Sequence, residues 1–222
     1  MQRADFTDAV LTRLLAHQLH AEHATFARAR GEHAAFAAAR LSDASFEDGA
    51  LTKADFSSAV VHGARFLRAK LSDAKFYEAL GNRSTFDDAD LNDARFEGAR
   101  MVGFFARRVA ATGSVWDSCD VTGGTFEGAV VRDASFAKVL AVRTLFNKVD
   151  AQQASFRGAV LKKACFLKAD LTKATFEQAD LAGADLRGAI LDQAETWEAI
   201  VDGVDLRHTS LTGSKLATGK RS

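Results

Sequence analysis

The 222 residues carry 29 Lys plus Arg against 29 Asp plus Glu, so the formal charge is zero and no overall field favours a nucleic acid or a membrane surface. No stretch nears the ~18 apolar residues that a bilayer span needs, and no charged segment leads into an apolar run at the start, so the chain reads as cytoplasmic. There is no proline, which fits backbone donors committed to ladders, and the two cysteines, Cys119 and Cys165, fall at unlike places in the pattern described next, which argues against a disulfide.

A bulky apolar residue recurs every five positions from Phe6 to Leu216, which gives about 43 centres with almost no slip. Two residues before most centres stands a small residue, as in Ala154, Ala159, Ala164, Ala169, Ala174 and Ala179. A period of five puts no single stripe on a helix or a strand, because five steps advance roughly 140° on the former and change face on the latter. A chain that turns a corner every five residues closes one coil in about 20, with every centre pointing at a common axis. The reading is an all-β square solenoid of ten to eleven coils, one body over 1–216, followed by a disordered tail at 217–222.

Taken in order, Ala4-Asp5-Phe6 is already a repeat, so no cap is recognisable at the start. The segment VLTRLLAHQLHAEHAT, residues 10–25, can also be drawn as an amphipathic helix with Leu11, Leu14, Leu15 and Leu19 on one side. The coil is favoured because alanine centres are matched by an enlarged residue two before: Leu14 with Ala16, Leu19 with Ala21, Phe104 with Ala106, Val109 with Ala111, Val139 with Ala141 and Val149 with Ala151. Both positions therefore share one fixed volume. Gly31 and Gly81 are centres without that compensation, which predicts a thin core there. Phenylalanine centres all have numbers ending in six, which predicts rings stacked up two opposite sides. Glycine sits two residues after a centre at 11 of its 16 positions, where a corner calls for φ above zero.

The stretch FDDADLNDARFE, residues 86–97, sets Asp87, Asp88, Asp90, Asp93 and Glu97 against Arg95 alone, and these five are the candidate partner-binding residues. Phe104 and Phe105 crowd Ala106, and Trp116 stands where a phenylalanine is due, so a bend or a widened coil is expected over 102–125. Residues 138–173 are basic, with Lys138, Arg143, Lys148, Arg157, Lys162, Lys163, Lys168 and Lys173 against Asp150 and Asp170, and the sign reverses from Glu177 to Asp205. At Thr196 and Trp197 the centre looks displaced by one residue, which predicts a bulge. Leu206, Leu211 and Leu216 are expected to lie exposed across an uncapped end and to pair two rods.

The whole pattern resembles the pentapeptide-repeat family, whose Ala-(Asp/Asn)-Leu-x-x consensus is matched by Ala89-Asp90-Leu91, Ala169-Asp170-Leu171, Ala179-Asp180-Leu181 and Ala184-Asp185-Leu186. The resemblance implies a right-handed quadrilateral β-helix in which the aspartate before a centre bonds its own turn. It also offers two functions. One is a protein-binding scaffold, either free-standing or a fragment of a larger bacterial, secretion-associated assembly. The other is the quinolone-resistance type, which imitates DNA to occupy DNA gyrase or topoisomerase IV. Imitation of a duplex calls for one continuous negative surface, and the acidic and basic stretches here alternate, so the scaffold is preferred.

The chemistry-bearing residues have plain structural readings. His17, His20, His23 and His33 fall on outward positions of adjacent sides, which converge poorly on a metal. Ser114 and Ser118 have no histidine nearby and no Gly-x-Ser-x-Gly elbow. Cys119 takes the place of a small inward residue. The expectation is a non-enzyme with no cofactor, no direct nucleic acid or membrane contact, and a protein partner that the residues do not name.

Overall fold

The computed structural model describes residues 3–214 and 216; the expected tail at 217–222 lies outside the described residues. Every fifth residue from Asp5 to Ile190 bridges in parallel to the residue 20 further on, as Asp5 to Thr25 and Ile190 to Ser210. The chain is thus a right-handed square β-solenoid of between ten and eleven coils with no helical segment over 10–25. At about 4.8 Å per coil it makes a rod of roughly 50 Å.

Each pentapeptide accounts for its five N–H groups in a fixed way. The centre donates to the next coil (Phe56 N to Lys75 O, 2.7 Å), as does the residue two later (Ser58 N to Tyr77 O, 2.7 Å). The residue before the centre donates back to the previous coil (Asp55 N to Ala34 O, 2.9 Å), and the small residue closes a turn onto the preceding centre (Ala59 N to Phe56 O, 3.0 Å). The fifth N–H, one after the centre, lies outside the ladder, and in many repeats a side chain meets it. An aspartate before the centre accepts it within the same turn, as Asp170 does from Thr172 at 3.0 Å and Asp180 from Ala182 at 3.1 Å. Elsewhere a side chain one coil earlier accepts it, as Asn82 does from Val102 at 3.1 Å and Asp117 from Ala137 at 3.0 Å.

All described corners hold a positive φ two residues after the centre, and 32 of the residues there are not glycine. An L-residue in that region costs about 1–2 kcal/mol. The inter-coil bonds on either side of each corner hold it there, and polar side chains dominate because the position faces water.

Inside, the rings stack as their spacing predicts. Phe56 lies on Phe76 at 4.9 Å and Phe76 on Phe96 at 4.6 Å, while Phe66 meets Phe76 edge-on from the opposite side at 5.6 Å. Trp116 enters the same column, stacked on Phe96 at 3.9 Å, and its indole N–H donates to the buried Ser114 Oγ at 2.9 Å, which in turn donates to Ala111 O at 2.7 Å.

Residues 102–125, where a bend or a widened coil is expected, hold the register: Phe105 bridges Thr125, and the buried Phe104 ring occupies the space below Gly124, where any Cβ would run into it. Two expectations are corrected. The core is not thin at Gly31 or Gly81, because Leu51 and Met101 of the following coil reach into those places; a Cβ on Gly31 would stand 2.8 Å from Leu51 Cδ2, and one on Gly81 would strike Met101 Sδ. Compensation runs along the axis as well as within a repeat. There is no bulge at Thr196 and Trp197: Glu195 bridges Thr175 and Ile200 bridges Asp180, so Thr196 occupies a half-buried centre and Trp197 an exposed corner.

Phe156 is fully buried between Phe136 at 5.0 Å and Phe176 at 5.1 Å, in coils that cannot collapse toward each other. Phe156→Ala should lower stability by about 3–5 kcal/mol, whereas exposed Lys163→Ala should leave it within about 0.5 kcal/mol. Chemical denaturation of the two variants checks this, and equal midpoints would contradict the packing account.

Candidate functional site

The five acidic candidates form a belt around one coil. Asp87 and Asp88 stand on the corner after Phe86, Asp90 on the next flat side, Asp93 on the corner after Leu91, and Glu97 on the corner after Phe96. Most are already engaged. Asp87 accepts Arg107 N at 2.8 Å and lies 3.5 Å from that guanidinium, and Asp88 takes two bonds of 2.7 Å from Arg108. Asp90 accepts from Ser72 Oγ at 2.8 Å and Asn92 N at 3.2 Å, while Glu97 pairs with Arg95. Asp93 alone of the five has no side-chain hydrogen bond or ion pair among the described residues. The sequence stretch shows only Arg95 as a counter-charge because Arg107 and Arg108 come from the coil above.

The Asp88–Arg108 pair belongs to a column that inspection of the local sequence misses. The corner residues Asp8, Arg28, Asp48, Arg68, Asp88 and Arg108 succeed one another at intervals of 20 with alternating sign. Arg28 donates to Asp8 through Nε and Nη2, each at 2.8 Å, and Arg68 donates to Asp48 at 2.7 and 2.8 Å. The arginine hydrogen bond in each pair holds the carboxyl of Asp8, Asp48 and Asp88 below the ordinary aspartate range. These pairs are solvent-exposed, so their bidentate geometry fixes side-chain position more than it adds stability.

Past Arg108 the alternation stops. The same corner continues as Gly128, Lys148, Lys168 and Gly188, and the preceding corner as Gly123, Arg143, Lys163 and Gly183. Four exposed cations thus bound two adjacent coils of one flat side, and none of the four has an ion pair among the described residues. Of the nearby cations on other sides, Arg132 pairs with Asp150 at 2.6 Å, Arg157 with Glu177 at 3.7 Å and Lys162 with Asp180 at 3.1 Å, while Lys138 and Lys173 stand singly on their corners. Between the two cationic corners lie Leu145, which is 42% exposed, and the half-buried Asn147, Cys165 and Leu167.

Leu206, Leu211 and Leu216 are half-buried against the core, rather than exposed as expected. Among the described residues no three His, Cys, Asp or Glu side chains gather as a metal site. His23 lies 3.7 Å from Asp43 and His33 3.7 Å from Glu32, all four partly or largely exposed. Cys119 and Cys165 are free thiols, and burial pushes both pKa values up, Cys119 most, which makes them poor nucleophiles. A shallow recess of about 450 Å³ is lined by Asp43, His62, Gly63, Asn82, Arg83 and Val102, where His62 Nδ1 and Asn82 Oδ1 accept backbone N–H groups at 3.1 Å. Those two acceptors are therefore taken up by the fold. Among the described residues no helix is long and apolar enough to cross a membrane.

A family model for pentapeptide repeats matches residues 50–80, 64–103, 142–178 and 179–216 in 8 copies. No curated protein matches the chain. Among solved structures, HetL, a pentapeptide repeat protein involved in heterocyst differentiation regulation from the cyanobacterium Nostoc sp. strain PCC 7120, is 20% identical over 96% of this chain and 91% of its own, with a TM-score of 0.47. QnrB1, a plasmid-mediated fluoroquinolone resistance protein, is 17% identical over 98% of this chain and 96% of its own, with a TM-score of 0.42.

Asp205 carries the largest aspartate shift, from an ordinary 3.8 to about 2, chiefly through its hydrogen bonds with Arg207. A carboxyl whose folded pKa is depressed contributes stability that is present above its unfolded value and is lost as pH falls through the folded value. Stability should therefore decline from about pH 4 toward about pH 2, and Asp205→Asn should flatten that decline. Denaturant midpoints measured across this window check it, and identical slopes for the two proteins would remove Asp205 from the account.

Proposed function

The chain belongs to the pentapeptide-repeat family, and on that premise we propose that it is a non-enzymatic protein-interaction scaffold, a rigid rod that works through side chains held on its flat sides and corners. What carries this reading is the division of labour inside each pentapeptide. Two residues fill the core, and the other three face outward from a backbone tied to its neighbours by the inter-coil ladder from Arg3 to Gln193. All chemical variety is consequently on the outside, at fixed spacing, with no loop to reshape it. Self-association through the last coils is part of the same proposal, supported by the part of Leu206, Leu211 and Leu216 that packing against the core leaves open to solvent.

Imitation of a DNA duplex is the weaker reading for this chain. It needs one sign of charge along the rod. The corner column instead alternates from Asp8 to Arg108 and then turns positive at Lys148 and Lys168.

Cross-linking of the intact chain in lysate from its source cells, followed by mass spectrometry, should capture a protein partner through the outward lysines, and DNA supercoiling by gyrase should proceed unchanged in its presence. Inhibited supercoiling would favour duplex imitation, and the absence of any captured protein would refute the scaffold. Light scattering at micromolar concentration should give a mass above that of one chain, reduced to one chain by Leu211→Lys with Leu216→Lys. A wild type with the mass of a single chain would refute the terminal contact.

A further inference from the structure

We propose that the side of the rod bounded by Arg143, Lys148, Lys163 and Lys168 docks an extended acidic protein segment that also carries apolar side chains. The inference rests on the scaffold reading and names the chemistry of one partner. Three observations converge on it. First, the quartet stacks like on like, Arg143 beneath Lys163 and Lys148 beneath Lys168, one coil or about 4.8 Å apart. Cations held so close repel one another, whereas the same corner alternates sign for the six levels from Asp8 to Arg108. Carboxylates supplied from outside would relieve that repulsion.

Second, the quartet is isolated by glycine. Gly123 and Gly183 close one corner and Gly128 and Gly188 the other, so no side chain from those positions shields the cations or competes for them. The stems of Lys163 and Lys168 run onward across Gly183 and Gly188, each Cγ 3.5 Å from where a Cβ would stand there. The glycines leave room for the two side chains to lie along the rod.

Third, the floor between the corners is largely apolar, with Leu145 exposed and Leu167 and Cys165 partly so, and its one amide, Asn147, is already engaged through Oδ1 by Leu167 N at 3.2 Å. The two corners are five residues apart along the chain, hence at most about 17 Å, a width suited to one extended segment lying between them. A nucleic acid fits less well, since single strands take aromatic platforms for their bases and this floor has none. Carboxylates on the rim and an apolar side chain on the floor is the arrangement of a specific protein contact, in which the charge pairs set register and the buried apolar group holds on.

The test uses the intact chain with two fluorescent probes, a peptide of alternating Glu and Leu and an all-Glu peptide of equal length, followed by anisotropy at low and physiological salt. The Glu-Leu peptide should bind more tightly than the all-Glu peptide. Reversing the quartet (R143E, K148E, K163E, K168E) should weaken both by at least tenfold, and L145S with L167S should weaken only the first. Melting curves check that each variant folds, and glutamine at the four positions serves if the reversed variant does not. Equal binding by the wild type and the quartet variants, or no binding of either peptide, would overturn the proposal. Tighter binding of duplex DNA or of anionic lipid vesicles than of the Glu-Leu peptide, insensitive to L145S with L167S, would also overturn it in favour of a phosphate-bearing partner. Cross-linking in lysate separates the two levels: if the quartet variant captures the same protein as the wild type, this face is wrong and the scaffold stands, and if the wild type captures none, the scaffold itself falls.

Discussion

The structure depends on one constraint, the parallel ladder that sets residue i directly over residue i plus 20. Because centre and corner N–H groups bond only to the neighbouring coils, a change of register would break several bonds in every pentapeptide at once. Registry then turns a one-dimensional sequence into columns, and each column must be compatible with itself at a spacing of about 4.8 Å. Flat rings satisfy that spacing by stacking, as Phe76 on Phe96, and opposite charges satisfy it by pairing, as Asp48 with Arg68. A large residue satisfies it when its neighbour in the column is small, as Met101 above Gly81 and Phe104 below Gly124.

This explains which features were legible in the chain. The five-residue period, the inward small-large pair, the glycine corners and the aspartate turns are all local, spanning a few residues, and each appears in the structure where the sequence puts it. What failed was reasoning that stayed local about a non-local object. Phe104 beside Ala106 looks like crowding within one repeat, yet it is accommodated by Gly124, one coil away. Asp87 and Asp88 look unopposed within residues 86–97, yet Arg107 and Arg108 meet them from the next coil. Trp197 looks like a displaced centre because it is large and apolar, but the ladder holds Thr196 at that position and leaves the indole outside. Reading the same sequence in rows of 20 would have found all three.

The two cysteines and the histidines at 17, 20, 23 and 33 illustrate how a repeat fold disperses chemistry. A catalytic or metal site needs three or more groups aimed at one point, and a convex corner aims its residues apart. Inward positions are the convergent ones, and among the described residues they are filled by rings, alkyl groups, the Met101 thioether, the Cys119 thiol and a few hydroxyls such as Ser114, whose oxygen serves the Trp116 indole. Surfaces of this kind select by pattern rather than by pocket.

Column logic also separates charges that serve the fold from charges that do not. An alternating column needs no outside party, since each guanidinium already holds the carboxylate below it, as Arg28 holds Asp8 and Arg108 holds Asp88. A like-charged column gains nothing from folding, because the ladder brings its members together whether or not they attract. The pentapeptide constrains the corner only to a residue that tolerates a positive φ, a demand that glycine meets at Gly128 and Gly188 in the same column. Lysine at 148 and 168 is therefore not required by the backbone, nor is it stabilised by its neighbours. Both are held against repulsion by a framework whose stability resides elsewhere, in the rings and the inter-coil bonds. A rigid rod thus carries on its surface an arrangement of charge that a flexible chain would relax away, and that is the physical advantage of building an interaction surface on a solenoid.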